Sequence, residues 1–155
     1  MTNRIGFTHL LRVRYSECDA QKVVFNAKYA EYVDIAATEY IRAVWGHYNN
    51  VLAMGLDSQV VNLAVTWKAS AKFDDVLAVE VNTSAIGNSS YTLNFSIRNY
   101  ATNGIIAVAD VVYVMVDANT YLKKNIPSDL KQKLNAGAPG VCINHSGADL
   151  KSESD

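Results

Sequence analysis

The sequence predicts an α+β protein in which a five-stranded antiparallel sheet wraps around one long central helix. Three observations lead there. One stretch of helical periodicity, residues 27–45, follows a single strand-like run; four longer runs of alternating polarity come after it; and short turns join those runs, which makes consecutive strands antiparallel. With 155 residues, half of them apolar, the chain can bury a real core within one domain. That domain is expected over residues 1–140, followed by a polar tail, 141–155, expected to fray.

The elements follow in chain order. From His9 to Tyr15, Leu11, Val13 and Tyr15 alternate with Arg12 and Arg14, the period of a half-buried strand. From Ala27 to Trp45 the period becomes helical, with Tyr29, Tyr32, Val33, Ala36, Ala37, Tyr40 and Val44 on one face and Gly46 as the stop. Residues 47–58, polar and glycine-containing, are expected to form a loop. Residues 60–72 then alternate as a long strand with Val61, Leu63, Val65 and Trp67 on one face. Leu77, Val79 and Val81 face inward on the next strand, and Tyr91, Leu93, Phe95 and Ile97 do so after the turn at Gly87-Asn88. The run Ile105 to Val116, which follows a turn at Thr102-Asn103-Gly104, is apolar on nearly both faces. One face can lie on the helix; the other, with Ile106, Val108, Val112, Val114 and Val116, needs a further cover, most simply a second subunit. A homodimer or homotetramer is therefore expected. A short helix is expected from Pro127 to Leu134.

The lengths agree with one another. A helix of about 19 residues spans roughly 28 Å, and strands of about 11 residues run roughly 36 Å. One helix thus covers one face of the sheet, the arrangement called a hot-dog fold.

Composition removes several functions. A net charge of −1 with scattered Lys and Arg gives no field for nucleic acid. The start of the chain lacks the apolar region of a signal peptide, and no apolar run approaches the roughly 18 residues of a membrane span, so a soluble, cytoplasmic protein is expected. Cys18 and Cys142 are too few and too isolated for a disulfide framework or a zinc site, and are expected to be reduced thiols.

The stretch YSECDAQKVVFNAKY places Asp19 in a break between strand and helix. Short polar residues favour such breaks and Asn is a good N-cap, which accounts for Asn26. It accounts less well for Asp19, seven positions earlier and beside Val23, Val24 and Phe25. A carboxylate partly desolvated by those neighbours would be a better base. The unpaired N–H groups at the helix start, near Asn26 and Ala27, form an electropositive end suited to a developing oxyanion. Turn residue and catalytic acid are equally compatible with these residues alone.

RVRYSECDAQKVVFNAKYAEYVDIAATEYI resembles the active-site segment of the 4-hydroxybenzoyl-CoA thioesterase family of hot-dog acyl-CoA thioesterases. Their pattern is an Asp, two residues, Gly, two apolar residues and a Tyr soon after on the helix. WKASAKFDDVLAVEV and GNSSYTLNFSI resemble the family's following strands, so the likeness covers about residues 8–117. It implies an acyl-CoA substrate, no metal or redox cofactor, and a site at a dimer interface. By the same resemblance, Asp19 is the catalytic carboxylate, nucleophile or general base, and the peptide N–H near Asn26 polarises the thioester carbonyl. Phe25, Ala27 and Tyr29 adjoin that centre. Asp34 corresponds to an acid that contacts the acyl group, and Ser70 and Ser90 to small hydroxyl positions near the pocket.

The family's Gly three residues after the acid is Lys22 here. At positive φ, Lys carries strain that Gly avoids, and its ammonium could pair with Asp19 or reach a CoA phosphate. Two other functions fit the same fold. A hydratase or dehydratase would pair a His with an acid, and His9, His47 and His145 show no such pairing with Asp19 in sequence. A non-catalytic acyl-CoA binding module is favoured by Lys22 alone. Cys18 as a nucleophile is disfavoured by its acidic neighbours Glu17 and Asp19.

Overall fold

The computed structural model describes residues 6–152. Residues 1–5 and 153–155, with the readings of a leaderless start and a frayed end that touch them, lie outside the described residues. In chain order the elements are β1 (Phe7–Arg12), a 3₁₀ turn (Tyr15–Glu17), α1 (Lys28–Trp45), α2 (Tyr48–Ala53), β2 (Leu56–Trp67), β3 (Val76–Ile86), β4 (Ser90–Asn99), β5 (Ile105–Asp117), α3 (Ser128–Ala136) and β6 (Cys142–Asn144). The sheet order is β2-β5-β4-β3-β1-β6. Every pairing is antiparallel except β1 with β6. Among the described residues, no helix is long and apolar enough to cross a membrane.

The helical stripe read from the sequence is the face that packs. Tyr29, Tyr32, Val33, Ala36, Ala37, Tyr40 and Val44 are buried, joined by Trp45, against Leu77, Val79, Val81, Leu93, Phe95 and Ile97 of the inner sheet. Each large side chain so buried contributes about 1.5–3 kcal/mol of transfer free energy. Ala36 and Ala37 lie at the centre of this face, where small side chains let the helix come close. Tyr40 closes one end, edge-on to Phe7 with ring centroids 5.4 Å apart and its hydroxyl 2.8 Å from Thr83 Oγ1. Gly46 ends α1 at φ 83°, and its N–H returns to the Arg42 carbonyl.

Four expectations change. The sheet has six strands rather than five, because residues 142–144, expected in a frayed tail, pair with Thr8 to Leu10 of β1. That addition is held by His145 N–H to Leu10 O at 2.9 Å and Arg12 Nε to Ser146 O at 2.9 Å. Part of the expected loop 47–58 is α2, started by the His47 side chain accepting the Asn49 N–H and anchored by buried Val51. The strand expected at 60–72 spans Leu56–Trp67 and carries a bulge between Val60 and Asn62, which shifts its pairing against β5. Lastly, Ile106 and Val116 of β5 are already buried within the chain. Val108, Val112 and Val114 of the same face are half-buried, and further exposed apolar side chains stand on edge strand β2, at Val60, Val61, Leu63 and Trp67.

Candidate active site

Residues 17–25 form a tight antiparallel loop between β1 and α1. Asp19 N–H donates to Val23 O at 2.9 Å, Cys18 bridges Val24, and Phe25 N–H donates to Glu17 O at 2.9 Å. Lys22 N–H closes the tip on the Asp19 carbonyl at 2.9 Å. A further bond, Val24 N–H to Ala71 O at 2.9 Å, ties the loop to the segment after β2. The pairing sets Asp19 two positions, about 7 Å, from the Glu17/Phe25 rung that leads into the helix.

The Asp19 side chain is half-buried. Its Oδ1 accepts the Gln21 N–H at 2.8 Å, an Asx turn of the kind the residue type favours. Oδ2 has no hydrogen-bond partner among the described residues. Turn residue and available carboxylate are thus properties of the same side chain.

The helix start differs in detail from the expected cap. Ala27, not Asn26, occupies the cap position, with no side-chain bond, and Asn26 is exposed. The Lys28 and Tyr29 N–H groups are spent on the carbonyls of Phe25 and Asn26. Those of Asn26 and Ala27 have no partner among the described residues and stand at the positive end of the helix dipole. An oxygen that gains negative charge there would find two unspent donors.

Lys22 takes φ 64°, so the position at which the resemblance placed a Gly is left-handed in this chain. Its ammonium makes no ion pair among the described residues, with Asp19 or any other acid. The left-handed backbone is present; an ion pair between Lys22 and Asp19 is not.

A buried acid two residues from Asp19 was not singled out by the sequence. Glu17 is 3% exposed. Its Oε1 accepts the Arg14 N–H at 2.7 Å and the Tyr32 hydroxyl at 3.0 Å, and its Oε2 accepts Arg14 Nε at 3.3 Å and Nη2 at 3.0 Å. Burial pushes this carboxyl up, but the Arg14 and Tyr32 hydrogen bonds outweigh it and hold it below the usual range, so it stays ionised. Burial and the Glu17 bond push the Tyr32 hydroxyl far up, so it remains a donor. The sequence offered only the spacing of Arg14, Glu17 and Tyr32, and a Glu three positions after an Arg reads there as a solvated side chain.

The other candidate residues separate. Phe25 is exposed beside the helix start. Tyr29 is core: it is buried, and its hydroxyl accepts the Ala71 N–H at 3.3 Å. Ser70 precedes Ala71 and so lies at the same end of the molecule as Asp19. Ser90 opens β4, six residues or about 20 Å along that strand from Ser96, which pairs with Val108 opposite Thr66 of β2. Asp34 is exposed, eight residues or about 12 Å along the helix from Asn26. It borders a cavity of about 140 Å³ whose walls include Trp45, Tyr91 and Tyr113. Tyr91 and Tyr113 stack there with centroids 4.9 Å apart. In a single chain, Asp34 and Ser90 do not meet Asp19.

The histidines do not supply a His–acid couple with Asp19. His9 Nε2 lies 3.0 Å from His145 Nδ1 where β1 meets the chain after β6, and His47 caps α2.

A family model described as the thioesterase-like superfamily matches residues 13–134. The chain is 30% identical over 127 residues to the acyl-CoA thioesterase YbgC of Haemophilus influenzae, covering 81% of this chain and 92% of that protein. It is 29% identical over 134 residues to the acyl-CoA thioester hydrolase YbgC of Escherichia coli, covering 84% and 99%. Among solved structures, a 1,4-dihydroxy-2-naphthoyl-CoA thioesterase from Synechocystis superposes with a TM-score of 0.75 at 16% identity, over 83% of this chain and 94% of that one. At that identity the likeness establishes the hot-dog fold.

Proposed function

The chain belongs to the thioesterase-like superfamily, and from that premise we propose that it hydrolyses an acyl-CoA thioester to a carboxylic acid and CoA at the Asp19 loop. One observation carries the reading. A carboxylate with an unspent oxygen and two unspent helix-start amides are held by one short loop, whose rungs fix their separation. In the reaction the thioester carbonyl accepts hydrogen bonds from the Asn26 and Ala27 N–H groups, which strengthen as the oxygen becomes an oxyanion. Asp19 Oδ2 then either takes a proton from the attacking water or itself attacks the carbonyl carbon, with water cleaving the resulting anhydride. Both routes expel CoA as its thiolate and consume one water. Loss of one such amide donor typically costs roughly 2.7–4 kcal/mol of barrier, so the helix start is as important as the acid.

The working unit is proposed to be a dimer or tetramer. Edge strand β2 leaves Val61 59% and Trp67 48% exposed, a surface a second copy can cover while continuing the sheet. Such an interface also gives Asp34 and Ser90, remote from Asp19 within one chain, a route to a shared site. Asp34 is proposed to meet the acyl group at the mouth of its cavity. A cavity of about 150 Å³ can hold benzene, which makes aromatic thioesters an informative substrate arm.

Free-thiol release from short, medium, long and aromatic acyl-CoAs tests the proposal, with wild type and Asp19→Asn side by side. Turnover that falls at least a hundredfold in the folded variant is expected. Undiminished turnover in Asp19→Asn would remove the acid from the mechanism. Binding of acyl-CoA with no turnover by the wild type would leave a binding module.

A further inference from the structure

Glu17 is an acid that the proposed reaction does not use, and it is almost completely withdrawn from solvent. A carboxylate tolerates that only where its lone pairs are matched, and here four hydrogen bonds from Arg14 and Tyr32 match them. With both oxygens engaged and only 3% of the residue exposed, it is not placed as a catalytic group. The same residue also makes two main-chain bonds, its N–H to Arg14 O at 3.0 Å and its carbonyl from Phe25 N–H at 2.9 Å. Glu17 therefore joins three pieces: the end of the turn after β1, the peptide just before the helix start, and Tyr32 in the helix itself.

We infer that Glu17 and Tyr32 form a positioning couple, which locks the Asp19 loop onto α1 and holds the Asp19 carboxylate at a fixed separation from the Asn26 and Ala27 amides. The inference rests on the reading of Asp19 as the reacting acid. Without the Tyr32 hydroxyl, the loop keeps its main-chain rungs, the core packing of Val24, and Arg14, which is bound to Glu17 but not to α1, and loses its side-chain hydrogen bond to the helix. The loop then samples separations at which acid and amides do not act together. Binding of the thioester, which needs neither group at a fixed distance, suffers less than its turnover.

Tyr32→Phe removes one oxygen and keeps the ring that packs edge-on to Tyr29 at 5.8 Å, so the core is preserved. Glu17→Gln and the double variant complete a cycle. Steady-state hydrolysis of the best thioester is measured for all four proteins, together with amide hydrogen exchange at Asp19, Val24 and Phe25. In each single variant kcat is expected to fall tenfold or more with KM within threefold, and the double variant to lose no more than the worse single one. The three loop amides are expected to exchange at least tenfold faster while central amides of β3 and β4 keep their protection. A kcat within twofold of wild type in Tyr32→Phe overturns the couple, as do losses that multiply in the double variant. Unchanged loop exchange overturns it whatever the kinetics. A wild type inert on every thioester defeats the proposed hydrolysis instead, and exchange alone then decides whether Glu17 and Tyr32 lock the loop.

Discussion

Lys22 sits at φ 64°, a conformation that costs an L-residue with a side chain about 1–2 kcal/mol. Lys22→Gly is expected to raise stability by about 1 kcal/mol, seen as a melting temperature higher by about 2–4 °C in a domain of this size. The opposite is expected at Glu17. Glu17→Ala leaves the buried Tyr32 hydroxyl without its acceptor, at a cost of about 1–3 kcal/mol, read as a lower denaturant midpoint at unchanged slope. The contrast shows which residues were legible beforehand. Asp19 stood out because it interrupts an apolar neighbourhood, and the strain at Lys22 was foreseeable because a Gly was expected there. Glu17 did not, since its burial depends on Tyr32, fifteen positions away, and a lone Glu beside an Arg otherwise reads as solvated.

At the scale of elements, α1 lies close to the sheet through a face centred on fully buried Ala36. Ala36→Leu is expected to force the helix outward and to cost about 1–3 kcal/mol in an equilibrium unfolding experiment. The helical period made seven of the eight buried positions of this face readable, Trp45 being the exception. Local alternation could not show where β2 starts, because the bulge at Val60 and Asn62 resets its phase. Nor could it show β6, whose three residues acquire a strand only by pairing with a partner more than 130 positions away. That pairing carries a titratable pair. Burial, and then the neighbouring His145, hold the His9 imidazole below its usual 6.5, with Glu39 offsetting part of the shift. Folded His9 therefore binds fewer protons than the unfolded chain, and stability is kept above pH 6.5 and lost as the pH falls below it. Melting temperatures between pH 7.5 and 5 should show that loss, and His9→Gln, which cannot take up the proton, should show less of it.

For the whole molecule, the two edges of the sheet are unequal. β2 presents apolar side chains over a long run, whereas β1 is covered by β6. A second copy at β2 makes a specific expectation: Val61→Lys, at an exposed site outside the core, lowers the sedimentation mass at micromolar concentration and reduces turnover while leaving the melting of the separated chain nearly unchanged. Unaltered mass would place the contact elsewhere. The two-faced apolar run at 105–116 led to the expectation of a partner surface on β5, where Val108, Val112 and Val114 are still half-buried. The exposed side chains of β2 extend the candidate surface to a strand the alternation alone did not single out. The sequence had no means of seeing that Ile106 and Val116 are buried within the chain itself.

The short parallel strand β6 acts on assembly as a stopper acts on a growing filament. A sheet bare at both ends can add copies without limit, each addition renewing the template for the next. Here one end is closed by three residues of the same chain and the stretch that follows them, so a copy joined edge to edge through β2 offers no further long edge. On the proposed joining through β2, strand addition would end at two chains, short of the open-ended stacking that a flat apolar edge invites.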